Sequence, residues 1–214
     1  MSFYLPPASS PPSLPDSLIG WLAAWELRRV RPHGSYSPTP VPPDDPATGI
    51  NIGIHYDLGY QPDEDILTDW AGYFPPPILR TLAAAGGLRG PTALHHHRSL
   101  PPIHLPYEDA LRFFRETTVP HWLRQATRLW PRFADLPPHP QCALVSLLMH
   151  LGPNLDGPHR RELPLIVHYL AHGQTAPIPH LIRSLAHHRP FPYHHQRLLA
   201  EADLFSTPTS TTPS

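Results

Sequence analysis

The sequence predicts an α+β fold that is mainly helical, with a small β element near the N-terminus. Two observations support this. Apolar residues recur at helical spacing through most of residues 13–205. Residues 50–60 instead alternate, with apolar side chains at even positions and polar or small ones at odd positions, which is typical of a half-buried strand. Proline, at 33 of 214 residues, falls mostly between the periodic segments and marks their boundaries.

The first helix is predicted to begin near Ser13, which can cap it, and to run to about Val30, before Pro32 and Gly34. An irregular loop over residues 32–49 then leads to the strand. A segment near residues 140–151 is apolar almost all round and should be a buried central helix. The helices predicted after the strand are Asp63–Phe74, Pro76–Ala85, Tyr107–Thr118, Val119–Leu129, Pro140–Leu151, Glu162–His172, Ile178–His188 and Pro192–Phe205.

These elements predict one folded domain over residues 13–205, between disordered tails at residues 1–12 and 206–214, which are rich in proline, serine and threonine. The N-terminus lacks the basic start and apolar stretch of a signal peptide, so we expect synthesis in the cytoplasm, followed by export or release if the target lies outside. No segment approaches the roughly 18 apolar residues of a membrane span. Nothing defines the oligomeric state, and a monomer is the simplest expectation.

The charge of the chain argues against nucleic-acid binding, and its cysteine content argues against an internal disulfide. All 16 basic residues are arginine and the formal net charge is −1, which disfavours nucleic-acid binding. The single cysteine, Cys142, lies in an apolar run and is predicted to be a small core residue.

The 17 histidines include runs at residues 95–97, 187–188 and 194–195, which raise the possibility of a metal site. Adjacent histidines on a helix point about 100° apart, and no His-Glu-x-x-His motif is present. We therefore expect solvated histidines, no metal and no organic cofactor.

Two carboxylates are candidates for acid–base chemistry. Glu26 follows Leu22 by four residues and lies beside Trp25 on the apolar stripe of the first helix, a setting that favours a protonated carboxyl group. An exposed Glu26 paired with Arg29 is the alternative. Asp57 ends the polar row of the strand, where it could orient water, or could instead bond its own backbone in a turn.

The pattern formed by these residues resembles the pesticin-like branch of phage lysozymes, which are peptidoglycan muramidases. That family has a helix bearing a glutamate and then a strand of the type Thr-Ile-Gly-Ile-Gly-Tyr-Asp-Leu-Gly; the strand here reads Asn51-Ile-Gly-Ile-His-Tyr-Asp57-Leu-Gly59. The resemblance runs in order over about residues 14–205. Later matching segments are Asp69-Trp70, Leu136-Pro137, Ala143-Leu-Val-Ser-Leu147, Gly152, Arg161-Glu162, Arg183-Ser184 and Glu201-Ala-Asp-Leu-Phe205.

The resemblance implies a lysozyme-like fold in which Glu26 is the general acid and Asp57 supports the attacking water. Asn51 occupies the position of a threonine that helps to hold this water. His55, Tyr56 and His150 become candidates for substrate contact. Three departures stand out: His55 replaces a glycine, Met149-His150-Leu151 replaces an aromatic-Asn-Arg sequence, and Leu198 replaces an arginine.

The predicted function is hydrolysis of the glycan strands of bacterial peptidoglycan, with inversion at the anomeric carbon. Inversion requires carboxyl groups about 6.5–9.5 Å apart, which leaves space for the water. The alternative is a weak or inactive lysozyme-fold protein that binds cell-wall glycan or a protein partner.

Overall fold

The computed structural model describes residues 12–30, 36–43, 45–157, 159–187 and 192–208, with only the backbone at residues 29 and 30. These residues are mainly helical and contain one two-stranded antiparallel sheet, which confirms the predicted mainly α class. The strands are β1 (Asn51–Ile52) and β2 (Tyr56–Asp57). The α-helices are α1 (Asp16–Val30), α2 (Asp63–Asp69), α3 (Pro76–Ala83), α4 (Gly90–Arg98), α5 (Tyr107–Phe113), α6 (Val119–Leu129), α7 (Pro138–Leu151), α8 (Glu162–Ala171), α9 (Ile178–Ala186) and α10 (Pro192–Phe205).

The described chain divides into two compact units. The N-terminal unit, residues 19–120, contains most of α1, the two strands and α2 to α5. The C-terminal unit, residues 12–18 and 121–208, contains α7 to α10 and most of α6. The single domain over residues 13–205 stays a prediction, and most of both predicted tails lies outside the described residues. Across the described ranges, no helix has the length and apolar character needed to cross a bilayer.

Most helix predictions agree with the structure, apart from their ends. α1 begins at Asp16 rather than Ser13, and Pro164 falls in the first turn of α8, where proline is tolerated. α4 was not predicted, because it begins at Gly90-Pro91, carries His95 to His97, and buries only Gly90 and Ala93. Such a segment has no apolar stripe for a periodicity argument to detect.

Residues 50–60 form a β-hairpin rather than the single strand that the alternation predicted. Ile52 pairs with Tyr56 and Asn51 pairs with Asp57, so the chain reverses over residues 53–55. Gly53 and His55 both have left-handed backbones, with φ of 66° and 55°. The predicted faces are nevertheless present. The even-numbered residues 50–58 are buried, whereas the polar odd-numbered residues from 51 to 57 are partly exposed.

An aromatic cluster fills the core of the N-terminal unit. Trp70 stacks on Phe113 with ring centroids 3.7 Å apart and planes 5° apart. Tyr56 packs edge-on against both rings, and Gly53 leaves the close space that Trp70 occupies. The β-hairpin is therefore anchored by its even-numbered face.

Helix α7 is the core of the C-terminal unit. All its residues from Pro140 to Met149 are buried, together with Leu151, which confirms the prediction of a buried helix. Cys142 lies within it, and burial raises the pKa of its thiol. One polar residue, Ser146, is fully buried among these apolar side chains and needs a hydrogen-bond partner.

Candidate active site

Glu26 is a buried carboxyl group on the apolar stripe of α1. Leu22 and Ala23 are buried on the preceding turn, Trp25 is buried beside it, and Glu26 itself is only 2% exposed. The alternative of an exposed Glu26 does not describe this side chain, and the side chain of Arg29 lies outside the described residues. Because charge is costly in such a setting, a partner for the carboxyl group is required.

His55 provides that partner. Its Nδ1 lies 2.6 Å from Glu26 Oε2, and its side chain is 12% exposed. His55 adopts a φ of 55°, a left-handed conformation that costs a non-glycine residue about 1–2 kcal/mol. The short contact offsets part of this strain, since an intramolecular hydrogen bond contributes about 0.5–1.5 kcal/mol. Sequence reasoning had placed His55 in contact with substrate, and the structure places it against the candidate acid.

Asp57 organises the backbone around the hairpin. Its carboxylate accepts hydrogen bonds from the backbone N–H of Gly49, at 3.0 and 3.1 Å, and from that of Gly59, at 2.8 Å. The latter bond caps the short 3₁₀ turn Leu58–Tyr60. The hydrogen bond from Gly59 is the backbone contact expected for an aspartate in a turn, so Asp57 also has the alternative role considered above. Backbone donors favour the ionised carboxylate, which is the form able to orient water.

Asn51 lies beside Asp57. The two residues are directly opposite each other in the antiparallel register, so their side chains lie on the same face of the hairpin. Asn51 Nδ2 is 3.5 Å from the carbonyl oxygen of Gly49, the residue whose N–H also binds Asp57. An amide and a carboxylate thus share one partly exposed face.

The structure brings the candidate acid close to this face. Glu26 contacts His55, and only Tyr56 separates His55 from Asp57 in the chain, so the Cα atoms of His55 and Asp57 are at most about 7 Å apart. Glu26, His55, Asn51 and Asp57 together form what we call the hairpin site. It combines a shielded carboxyl group, a titratable imidazole, a carboxylate and an amide.

Tyr56 lies outside the hairpin site. Its ring is buried, and its hydroxyl donates a 2.8 Å hydrogen bond to Asp69 Oδ2. Burial, followed by the hydrogen bond and charge of Asp69, raises the pKa of Tyr56. Its even position places it on the apolar face, which leaves it as a core residue that also secures the Asp69-Trp70 segment.

His150 belongs to the C-terminal unit, where it forms part of a buried polar network. Its Nε2 lies 2.5 Å from His194 Nδ1, the two rings are stacked, and its Nδ1 lies 3.9 Å from Glu201 Oε1. Ser146 Oγ donates to Glu201 Oε1 at 2.6 Å, and Arg197 Nε donates to the same oxygen at 3.1 Å.

Sequence reasoning missed this network. The spacing of four residues between Arg197 and Glu201 on a helix was the available signal. Both side chains are fully buried, and Arg197 also donates to the Ser146 carbonyl and to the Tyr193 hydroxyl. Arg197 stands next to Leu198, at which the resemblance would place an arginine. The hydrogen bonds of this network join α10 to α7.

Other positions that match the family form side-chain pairs between helices. Ser184 Oγ donates to Glu162 Oε1 at 2.8 Å, and Arg183 pairs with Asp203 at 2.6 Å. Several residues that carry the resemblance therefore join helices to one another within the C-terminal unit.

The histidine runs have separate partners. His96 Nε2 and His97 Nε2 lie 3.3 and 3.1 Å from the carbonyl oxygens of Thr81 and Pro40, respectively. His195 Nδ1 lies 3.0 Å from the Ala186 carbonyl, and His188 falls outside the described residues. Over the part of the chain that the structure describes, no group of three or more potential ligands is placed to hold a metal ion.

Comparison with known proteins supplies no family for this chain. A scan against protein-family models finds no match, and a search of curated proteins finds no significant relative.

Proposed function

We propose that the protein is a glycoside hydrolase with a lysozyme-like fold that cleaves the glycan strands of bacterial peptidoglycan. One observation carries this proposal. Glu26, a shielded carboxyl group on a helix, contacts His55 of the same hairpin in which Asn51 and the carboxylate Asp57 are paired. Two carboxyl groups in contrasting environments are what glycoside hydrolysis requires.

In the proposed reaction, Glu26 donates its proton to the glycosidic oxygen as the bond from this oxygen to the anomeric carbon breaks. Water adds to the oxocarbenium-like centre and loses a proton. Asp57 orients this water and accepts the proton, with the Asn51 amide as a second hydrogen-bonding partner. Water on the opposite face of the sugar gives inversion, as expected for carboxyl groups about 6.5–9.5 Å apart.

The Asp57 environment suits this role. Its hydrogen bonds from the Gly49 and Gly59 backbone fix the orientation of the carboxylate and favour its ionised form. The side chain is partly exposed, whereas Glu26 is almost fully covered. The difference in exposure supports separate roles, an acid at residue 26 and a water-orienting base at residue 57.

The second candidate function is binding of cell-wall glycan or a protein partner without hydrolysis. The 2% exposure of Glu26 and its contact with His55 favour this second function, because in this conformation the carboxyl group is closed to a saccharide oxygen. In that case the protein would be retained on purified cell walls and release no reducing ends.

The deciding experiment incubates the purified protein with purified peptidoglycan and measures new reducing ends. Borohydride reduction and mass spectrometry of the products then identify the sugar that carries each new end. We expect release by the wild type and none by Glu26→Gln, which keeps the size of the side chain but cannot donate a carboxyl proton. Retention on the walls without release by the wild type would select the second candidate.

A further inference from the structure

We propose that His55 is a gate over the general acid: its imidazole closes Glu26 against substrate, and turnover requires this ring to rotate away. The inference rests on the proposed function, since it assigns a role to a residue that contacts the acid. It makes His55 a positioning residue.

The contact itself excludes simultaneous catalysis. Glu26 Oε2 lies 2.6 Å from His55 Nδ1, and Glu26 Oε1 is buried, so a proton held by Glu26 is closed to a glycosidic oxygen while the imidazole is in place. A glycosidic oxygen receiving that proton would need to occupy a similar hydrogen-bonding distance from Glu26. The imidazole and the substrate oxygen compete for the same carboxyl group.

Burial places His55 on the solvent side of the pair. The His55 side chain is 12% exposed, whereas that of Glu26 is 2% exposed. Leu22, Ala23 and Trp25 are buried on the same helix around the glutamate. The imidazole is therefore the partly exposed part of the pair, and its departure uncovers the carboxyl group without unpacking α1.

The backbone at His55 has a left-handed conformation that rotation of the side chain leaves unchanged. A φ of 55° suits glycine or asparagine, and histidine at this position depends on its contact with Glu26 to offset part of the cost. The neighbouring turn residues are fixed, since Ile54 is buried and Gly53 packs against Trp70. Opening therefore involves rotation of the imidazole rather than unfolding of the hairpin.

Two variants test the gate. His55→Gly and His55→Asn both remove the imidazole and both tolerate the left-handed backbone. The matched control is Arg132→Gly, which relieves a similar φ of 58° at an exposed residue of the C-terminal unit. A rise in activity caused only by a general gain in stability from relieved backbone strain would also appear in Arg132→Gly.

The first measurement is labelling of the Glu26 carboxyl group with a water-soluble carbodiimide and an amine, followed by peptide mass spectrometry. Glu201, which is fully buried, serves as an internal control for folding, because it is labelled only if the protein opens globally. If the gate is closed in most molecules, the labelling rate of Glu26 rises roughly tenfold in both His55 variants and stays unchanged in Arg132→Gly.

The second measurement is the release of reducing ends from purified peptidoglycan. We expect turnover to rise in both His55 variants in parallel with the labelling. Unchanged Glu26 labelling in both, with Glu201 protected, overturns the gate. Faster labelling without release of reducing ends by any variant supports the gate and rejects the glycosidase, so the two failures are distinguishable.

Discussion

Both carboxylate oxygens of Asp57 lie close to the backbone nitrogen of Gly49, at 3.0 and 3.1 Å. Gly49 precedes β1 and Asp57 ends β2, so this carboxylate joins the two ends of the hairpin. Asp57 also caps the 3₁₀ turn that follows, through Gly59. A loss of activity after its substitution would consequently combine structural and chemical effects, which stability measurements can separate.

We predict that Asp57→Asn lowers the free energy of unfolding by about 1–3 kcal/mol, because an amide replaces one of two accepting oxygens with a donor that faces an N–H group. Urea unfolding measures the change. Asp135→Asn, which removes an exposed ion pair with Arg132, is the control and should change stability by less than about 1 kcal/mol. Equal stabilities for the Asp57 variant and the wild type would show that these hydrogen bonds do not support the hairpin.

The buried pair of Arg197 and Glu201 is predicted to matter far more than the exposed pair of Arg183 and Asp203. Removing Arg197 leaves a buried carboxylate without its cation, so Arg197→Met should cost about 3–5 kcal/mol. Arg183→Met should cost about 1 kcal/mol or less, because both partners remain hydrated. Chemical unfolding of the two variants provides the comparison, and similar losses would argue against the buried network.

Removing the charge of Glu201 as well should recover part of the stability lost in Arg197→Met. The double variant Arg197→Met, Glu201→Leu removes both charges together, and we expect it to be more stable than Arg197→Met alone. A double variant that is less stable than the single one would show that the remaining contacts of Glu201, such as its hydrogen bond from Ser146, outweigh the cost of its buried charge.

The raised pKa of Tyr56 predicts that the stability of the protein depends on pH in alkaline solution. Its pKa is raised in the folded protein, mainly by burial and then by Asp69, whereas an unfolded tyrosine titrates near pH 10. Its contribution to stability is complete below about pH 10. Above this pH the unfolded chain loses the phenol proton while the folded chain keeps it, so stability falls as pH rises.

We expect Tyr56→Phe to be less stable than the wild type at neutral pH, and the gap between the two to narrow above about pH 10. Urea unfolding over a series of alkaline pH values measures this gap. Tyr60→Phe, which removes the hydroxyl of a tyrosine that is 54% exposed, is the matched control. If the difference in stability between Tyr56→Phe and the wild type is constant with pH, the pKa of Tyr56 is not raised by folding.

The faces of the hairpin were predictable from sequence because side-chain direction in extended chain depends only on local backbone geometry. The reversal at residues 53–55 was not, because it requires a left-handed histidine, and that conformation is stabilised by a residue 29 positions away. Tyr56 is a related case. Its place in the motif favoured substrate contact, whereas its even position already placed it on the buried face.

For Glu26, the local sequence pattern predicted burial of the side chain but not its contact with His55. The apolar stripe of α1 correctly placed Glu26 among buried residues, and it could not reveal that His55 covers the carboxyl group. His150 and its contacts with His194 and Glu201 join separate helices, so no periodicity within one helix could identify them. Contacts between distant segments depend on packing, which a single sequence does not display.

The central claim is that Glu26 donates the proton that breaks a peptidoglycan glycosidic bond. The most direct test is a zymogram, in which wild-type protein and Glu26→Gln are renatured side by side, in equal amounts, in a gel containing purified cell walls. We predict a cleared band for the wild type and none for the variant. Equal clearing by both proteins would show that Glu26 is not the acid.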